Sequence, residues 1–278
     1  MHAAAISQRI NAERLLVVAW LRALLLQLAH PLIAAGVAEH STFRSGTTAS
    51  FARLRQTVEA MLAITFGGPS ERERAVDGIR AIHRRVHGTL ASPCGVFAAG
   101  TPYSAGDSAL LIWVHATLVE SIVLAYEQLI EPLTPAERDR YCADGADLAV
   151  ELGARADAVP RSWPALRAYM DACYESGHVT VGPQALALAA ALLSPLRNPL
   201  ANRLFTPVVS LLAAGQLPSH VRVQYGLTWT RRRARRHVGL ITLLRSARRV
   251  APGRIALWKS ARSVVSVRVE HGCSATAR

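Results

Sequence analysis

Proline recurs at the heads of apolar segments along this chain, at Pro31, Pro69, Pro135, Pro160, Pro183 and Pro199, and no stretch shows convincing strand-like alternation. Proline fixes φ and lacks an N–H, so it suits the first turn of a helix and breaks its interior. The pattern reads as helix after helix. Asn11 is read as the cap of a helix over residues 12–29, with a second covering 31–39. Ser50 opens a third, which stops at Gly67-Gly68-Pro69, and Ser70 leads a charged first turn into a fourth that ends at Gly88. Residues 91–106, rich in Gly, Pro and Ser, form the longest loop. Asp107 caps a long helix through Leu129, and Thr134-Pro135-Ala136-Glu137 combines a cap, a first-turn proline and a capping-box glutamate. Three more helices follow over 160–175, 183–193 and 199–214. The expectation is an all-α fold, a single multi-helix orthogonal bundle over residues 10–226, followed by a basic helical extension over 227–278.

The charge separates these two parts. Lysine and arginine total 32 against 19 acids, a net charge of +13. From Ser219 onward there are 14 basic residues and one acid, Glu270, so the tail carries the excess and the body is neutral. The run Arg231-Arg232-Arg233-Ala234-Arg235-Arg236 reads as a solvated helix face or as a point of peripheral contact with an anionic membrane. No zinc finger or aromatic RNA-reading motif accompanies it, so no specific nucleic-acid partner is expected. The four cysteines are widely spaced, without a CxxC pair, which fits a reducing compartment. The most membrane-like stretch, residues 15–37, is interrupted by Arg22, Gln27, His30 and Pro31. A cytoplasmic chain with peripheral membrane contact is the expectation.

Five histidines, His30, His40, His83, His87 and His115, fall in or at the ends of apolar helical segments of the first 115 residues. A buried imidazole left without partners costs roughly 1–3 kcal/mol, so such density suggests the lining of a pocket. Arg53 and Thr57, four apart, share one face of the helix between them. Each also has a plainer reading, as a core histidine bonded to a carbonyl, a surface arginine or a back-bonded threonine. Nucleotide-binding glycine loops, a GxSxG elbow, an HExxH pair and a di-iron Glu-x-x-His set are all absent. His83 and His87 have zinc-ligand spacing but no evident third ligand.

Taken in order, the motifs resemble a family. Gln27-Leu28-Ala29-His30-Pro31 through Glu39-His40-Ser41 comes first, then Arg53-Leu54-Arg55-Gln56-Thr57 with Phe66-Gly67. Ile82-His83-Arg84-Arg85-Val86-His87-Gly88 follows, and Tyr103-Ser104-Ala105 leads to Trp113-Val114-His115-Ala116-Thr117. Over roughly residues 10–230 the chain resembles the family of latex-clearing rubber oxygenases and the oxygenase of mycophenolic acid synthesis. That resemblance implies one b-type haem per chain in a helical pocket, with dioxygen and a small hydrophobic, unsaturated substrate as partners. It places His83 as axial ligand, with His115 as the alternative, and sets Arg53 and Thr57 on the haem pocket. Glu39 takes the position of a carboxylate base. The chain departs from the rubber enzymes at Gln56, where they carry a lysine able to close off the iron. Two other readings stay open: a non-catalytic haem- or lipid-binding protein, and a membrane-docked scaffold.

Overall fold

The computed structural model describes residues 5–40, 47–194 and 198–262, with side chains in the helix at 47–66 described from Gln56 onward. Its described residues are all-α apart from one short hairpin. The axis of the molecule is α6 (Ser108–Leu129), whose fourteen buried residues run right round the helix. A helix apolar on all sides must be enclosed by other elements or by lipid. Here α2 (Val17–Leu28), α7 (Pro135–Glu151) and α8 (Trp163–Glu175) pack against it. By length and composition α6 could cross a membrane, but 67% of its most apolar stretch is buried inside the protein. The predicted caps start these helices. Asp107 accepts from the backbone N–H of Ala109 and Leu110, and Thr134 and Glu137 satisfy each other's backbone in a capping box.

Around this centre, α3 (Pro31–His40) turns sharply from α2 and packs on α9 (Pro183–Leu193). Trp113 and Tyr225 fasten α2 to the core by donating to the carbonyls of Leu26 and Leu25, at 3.2 and 2.6 Å. At the N-terminus the expectation needs correction. Instead of a cap at Asn11 and one helix over 12–29, the chain forms α1 (Ile6–Asn11), a 3-10 turn (Arg14–Leu16) and then α2. The Asn11 amide oxygen accepts from the Tyr141 hydroxyl at 2.9 Å, so a distant partner has taken the group a cap would use. The loop at 91–106 also conceals a strand. Here β1 (His87–Thr89) pairs antiparallel with β2 (Pro102–Ser104), and Ala105 N–H donates to the Val86 carbonyl.

One helical hairpin stands apart from the axis. Helix α4 (Thr47–Phe66) packs along α5 (Pro69–His83), and α4 leans on the body through α1. The basic segment is held at several points. Here α12 (Arg231–Val250) packs on α6 and on α10 (Pro199–Gln216). Arg248 forms a two-pronged ion pair with Glu13 at 2.5 and 2.6 Å, and Trp258 N–H donates to the Ala12 carbonyl. A Cβ at Gly215 on α10 would overlap the His237 ring of α12, so this glycine sets how closely the two helices approach. Gly215→Ala is expected to cost about 1–3 kcal/mol by overpacking. It should also speed tryptic cleavage within residues 231–236. Gly239→Ala, where a Cβ meets nothing within 4 Å, is the control and should leave cleavage unchanged or slower.

Candidate active site

Between the α4–α5 hairpin and the α6–α7 pair lies a cavity of about 210 Å³. Met61 and Ile64 of α4 face Leu118 and Ile122 of α6 across it, and Leu148 of α7 completes an apolar wall. Polar groups interrupt this lining at His115, Asp144 and Arg72, and Ser7, Gln8 and Asn11 of α1 with Thr65 and Tyr141 form a more polar side. His115 Nε2 and Asp144 Oδ2 are both sealed from water and have no hydrogen-bond partner. Burial pulls the His115 pKa down to about 4, so its ring is neutral at physiological pH. Gly145 gives the imidazole room: a Cβ there would stand 2.9 Å from His115 Cε1. A second, smaller cavity of about 30 Å³ shares Asn11, Met61, Thr65 and Ile122 with the first and extends the apolar slot to Trp20 and Trp258.

The other predicted site residues with described side chains, His83, Thr57 and Glu39, do not line the cavity. His83 closes α5, half-buried, with Nδ1 sealed and unpartnered and its pKa lowered by burial. Thr57 and Gln56 are exposed on α4, while the Arg53 side chain lies outside the described residues. Glu39, at the end of α3, accepts a 2.5 Å hydrogen bond from the Tyr103 hydroxyl. Burial and the adjacent carboxylate hold that phenol well above its ordinary pKa, so it stays a donor. Tyr103→Phe should release Glu39 at a cost of about 1 kcal/mol, read as a shift in the urea midpoint.

The remaining histidines occupy two other places. His30 is buried against Phe97 and His178, with ring centroids 5.2 and 6.2 Å away, and its Nδ1 lacks a partner. His40 and His87 are exposed, and His40 Nε2 bonds the His87 carbonyl at 3.0 Å. Among the described residues, no three His, Cys, Asp or Glu side chains converge as a metal cluster. Sequence reasoning missed Asp144, Gly145 and Arg72. They enter the site from helices whose local patterns look like ordinary amphipathic surface, and only the packing of α7 and α5 brings them in.

Three properties thus coincide: a neutral imidazole nitrogen without a partner, an apolar slot, and a hairpin wall carried by α1. Comparison with known proteins bears on what this arrangement serves. Uncharacterized proteins of Mycobacterium bovis and Mycobacterium tuberculosis are each 29% identical to the chain over 240 residues, covering 83% of it and 88% of their own length. No solved structure matches it. The family model for the ER-bound oxygenase mpaB/B′/rubber oxygenase catalytic domain matches residues 8–250, from α1 to the end of α12, and the chain belongs to that oxygenase family.

Proposed function

We propose that the protein is a haem-b-dependent oxygenase acting on a small isoprenoid or other unsaturated lipid-like molecule, with oxidative cleavage of a carbon–carbon double bond as the reaction class. The observation that supports this reading is the sealed, unpartnered Nε2 of His115 on the wall of a cavity with one apolar side. An unsatisfied buried nitrogen is costly, and coordination to iron is one way to satisfy it. When bound, haem supplies the redox chemistry that lets dioxygen react with an alkene. His115, neutral and beside Gly145, would hold the haem iron, and His83 with its unpartnered Nδ1 is the second candidate. At about 210 Å³ the cavity is smaller than the ~300–1,000 Å³ of small-molecule sites, so a cofactor would need the α4 wall to stand further out.

The chain's own groups then have separable tasks. Met61, Ile64, Leu118 and Ile122 would hold an apolar chain and exclude water. Arg72, already paired with Glu151 at 2.5 Å, would present charge to a carboxylate at the cavity edge. Asp144 Oδ2 would accept a hydrogen bond within the cavity. By the family's pattern Arg53 would stabilise negative charge developing on oxygen. Thr57 would lie beside it. Glu39, kept in place by Tyr103, would take a proton from the substrate.

The test is the absorption spectrum of the purified protein, oxidised and then reduced with dithionite. The expected result is a Soret band, about one b-type haem per chain, and loss of the band in His115→Ala. Loss in His83→Ala alone would move the ligand to His83 and leave the haem reading standing. Protein that is haem-free and fails to take up added haemin would overturn it. A bis-histidine carrier is the second reading, since His83 Nδ1 and His115 Nε2 are two of the four sealed, unpartnered imidazole nitrogens among the described residues, the others being those of His30 and His237. It predicts a low-spin spectrum indifferent to carbon monoxide.

A further inference from the structure

Two helices that line neither cavity, α10 and α12, carry a different signal. Apolar side chains are normally spent on the core, yet the first half of α10 directs them outward. Leu200 is 70% exposed, Leu204 72%, Phe205 45% and Val208 44%. At 100° per residue, these positions fall on a single arc of the helix, so they form one stripe. The opposite side of α10 buries Ala213 and Ala214 against the body, so the stripe is left over after packing. Such a patch on a folded protein marks an interaction surface.

Helix α12, packed on α10, supplies the charge. It buries His237 and sends Arg231, Arg232, Arg235, Arg236 and Arg249 to the surface. Val238, Leu243 and Val250 are exposed with them, at 63, 64 and 83%. Among the described residues, no carboxylate pairs with any of those five arginines: Arg248, on the inner side, takes Glu13. Ser219 to Arg262 contains no acid at all. Arginines interspersed with exposed leucine and valine are what a helix lying in the headgroup layer requires, because guanidinium groups meet phosphates while the apolar side chains reach the acyl boundary. A protein partner would have to match both a wholly cationic helix and an apolar stripe, whereas an anionic bilayer offers both chemistries in one surface.

We propose that α10 and α12 together dock the protein on an anionic phospholipid bilayer, with the α10 stripe inserting and the α12 arginines binding headgroup phosphates. This holds whether or not the cavity binds haem, since none of these residues lines it. The test is co-sedimentation of the full chain with vesicles of phosphatidylglycerol and phosphatidylcholine, compared with phosphatidylcholine alone.

Binding only to the anionic vesicles, weakened by salt, is expected. It should fall on the order of tenfold or more both in Leu204→Glu/Val208→Glu and in Arg232→Gln/Arg235→Gln/Arg236→Gln. All five positions are exposed, so both variants should melt as the parent does, which a thermal scan checks. Failure of the parent to bind, or parent-level binding by either variant, would overturn the proposal. So would a parent dimer that Leu204→Glu/Val208→Glu converts to monomer without vesicle binding, which would assign the stripe to a second copy. Vesicle binding that appears only after removal of residues 263–278 would overturn it too, by assigning the stripe to that segment.

Discussion

Replacing Glu120 with alanine is expected to destabilise the protein by about 3–5 kcal/mol, among the largest single-residue effects the fold allows. Glu120 sits on α6 with no exposure and takes two arginines from different helices. Arg22 of α2 reaches Oε2 at 2.7 Å, while also bonding Ser121 Oγ at 2.7 Å and the Gln216 carbonyl at 2.8 Å. Arg167 of α8 approaches Oε1. Burial lowers the Arg22 pKa only to about 10, so it remains a cation at neutral pH. Without the carboxylate, a charged group 3% exposed has no counter-ion, whereas Arg167 can turn to water. The double variant Arg22→Met/Glu120→Leu should recover most of the loss, because replacing a buried pair by apolar groups is often neutral or better. Urea midpoints of parent, single and double variants check this. A single variant within about 1 kcal/mol of the parent would mean that the network contributes little.

Mild acid should unfold the protein more readily, through histidines buried in their neutral form. His30 is drawn down to about 4, first by burial and then by the nearby His178. His115 falls to about 4 through burial alone. In the unfolded chain both return to about 6.5, so below that pH the unfolded state binds more protons. Their stabilisation is complete above about pH 6.5, declines as pH falls, and levels off below about 4. Each can account for about 3 kcal/mol across that window. His83, His220 and His237 are shifted in the same direction by burial and add to the slope. Urea midpoints of haem-free protein measured from pH 7.5 to 4.5 should therefore hold above about pH 6.5 and drop below it, and His30→Gln should flatten part of the slope. A flat profile in the parent would show that these imidazoles are not buried as neutral groups.

The helical architecture was legible because its signals are local. Asp107 and the Thr134–Glu137 box act within three residues, and each performs the capping role its position suggests. Where a distant group intervened, local reading failed. Asn11 has the chemistry of a cap but is taken by Tyr141, and the helix breaks there instead. The strands at 87–89 and 102–104 are too short for alternation to register, and their ladder depends on residues fifteen or so apart. In the site, the placing of His115 in an apolar helix hinted at a buried ring. That Gly145 and Asp144 stand against the same cavity follows from the packing of α7 on α6, which no spacing along the chain encodes.

The α5 wall of that cavity is secured at its surface by arginines. The end of α5 runs into the β1–β2 ladder, while farther back Glu151 alone receives both Arg72, through its carboxylate, and Arg80, through its carbonyl. Arg72 and Glu151 are 38 and 30% exposed, so water and dissolved ions reach their bond. The apolar packing around α6 and its buried Arg22–Glu120 pair are little screened by electrolyte, but this exposed fastening weakens as ionic strength rises. The hold of α5 on α7 is therefore more sensitive to salt than the buried packing of the body.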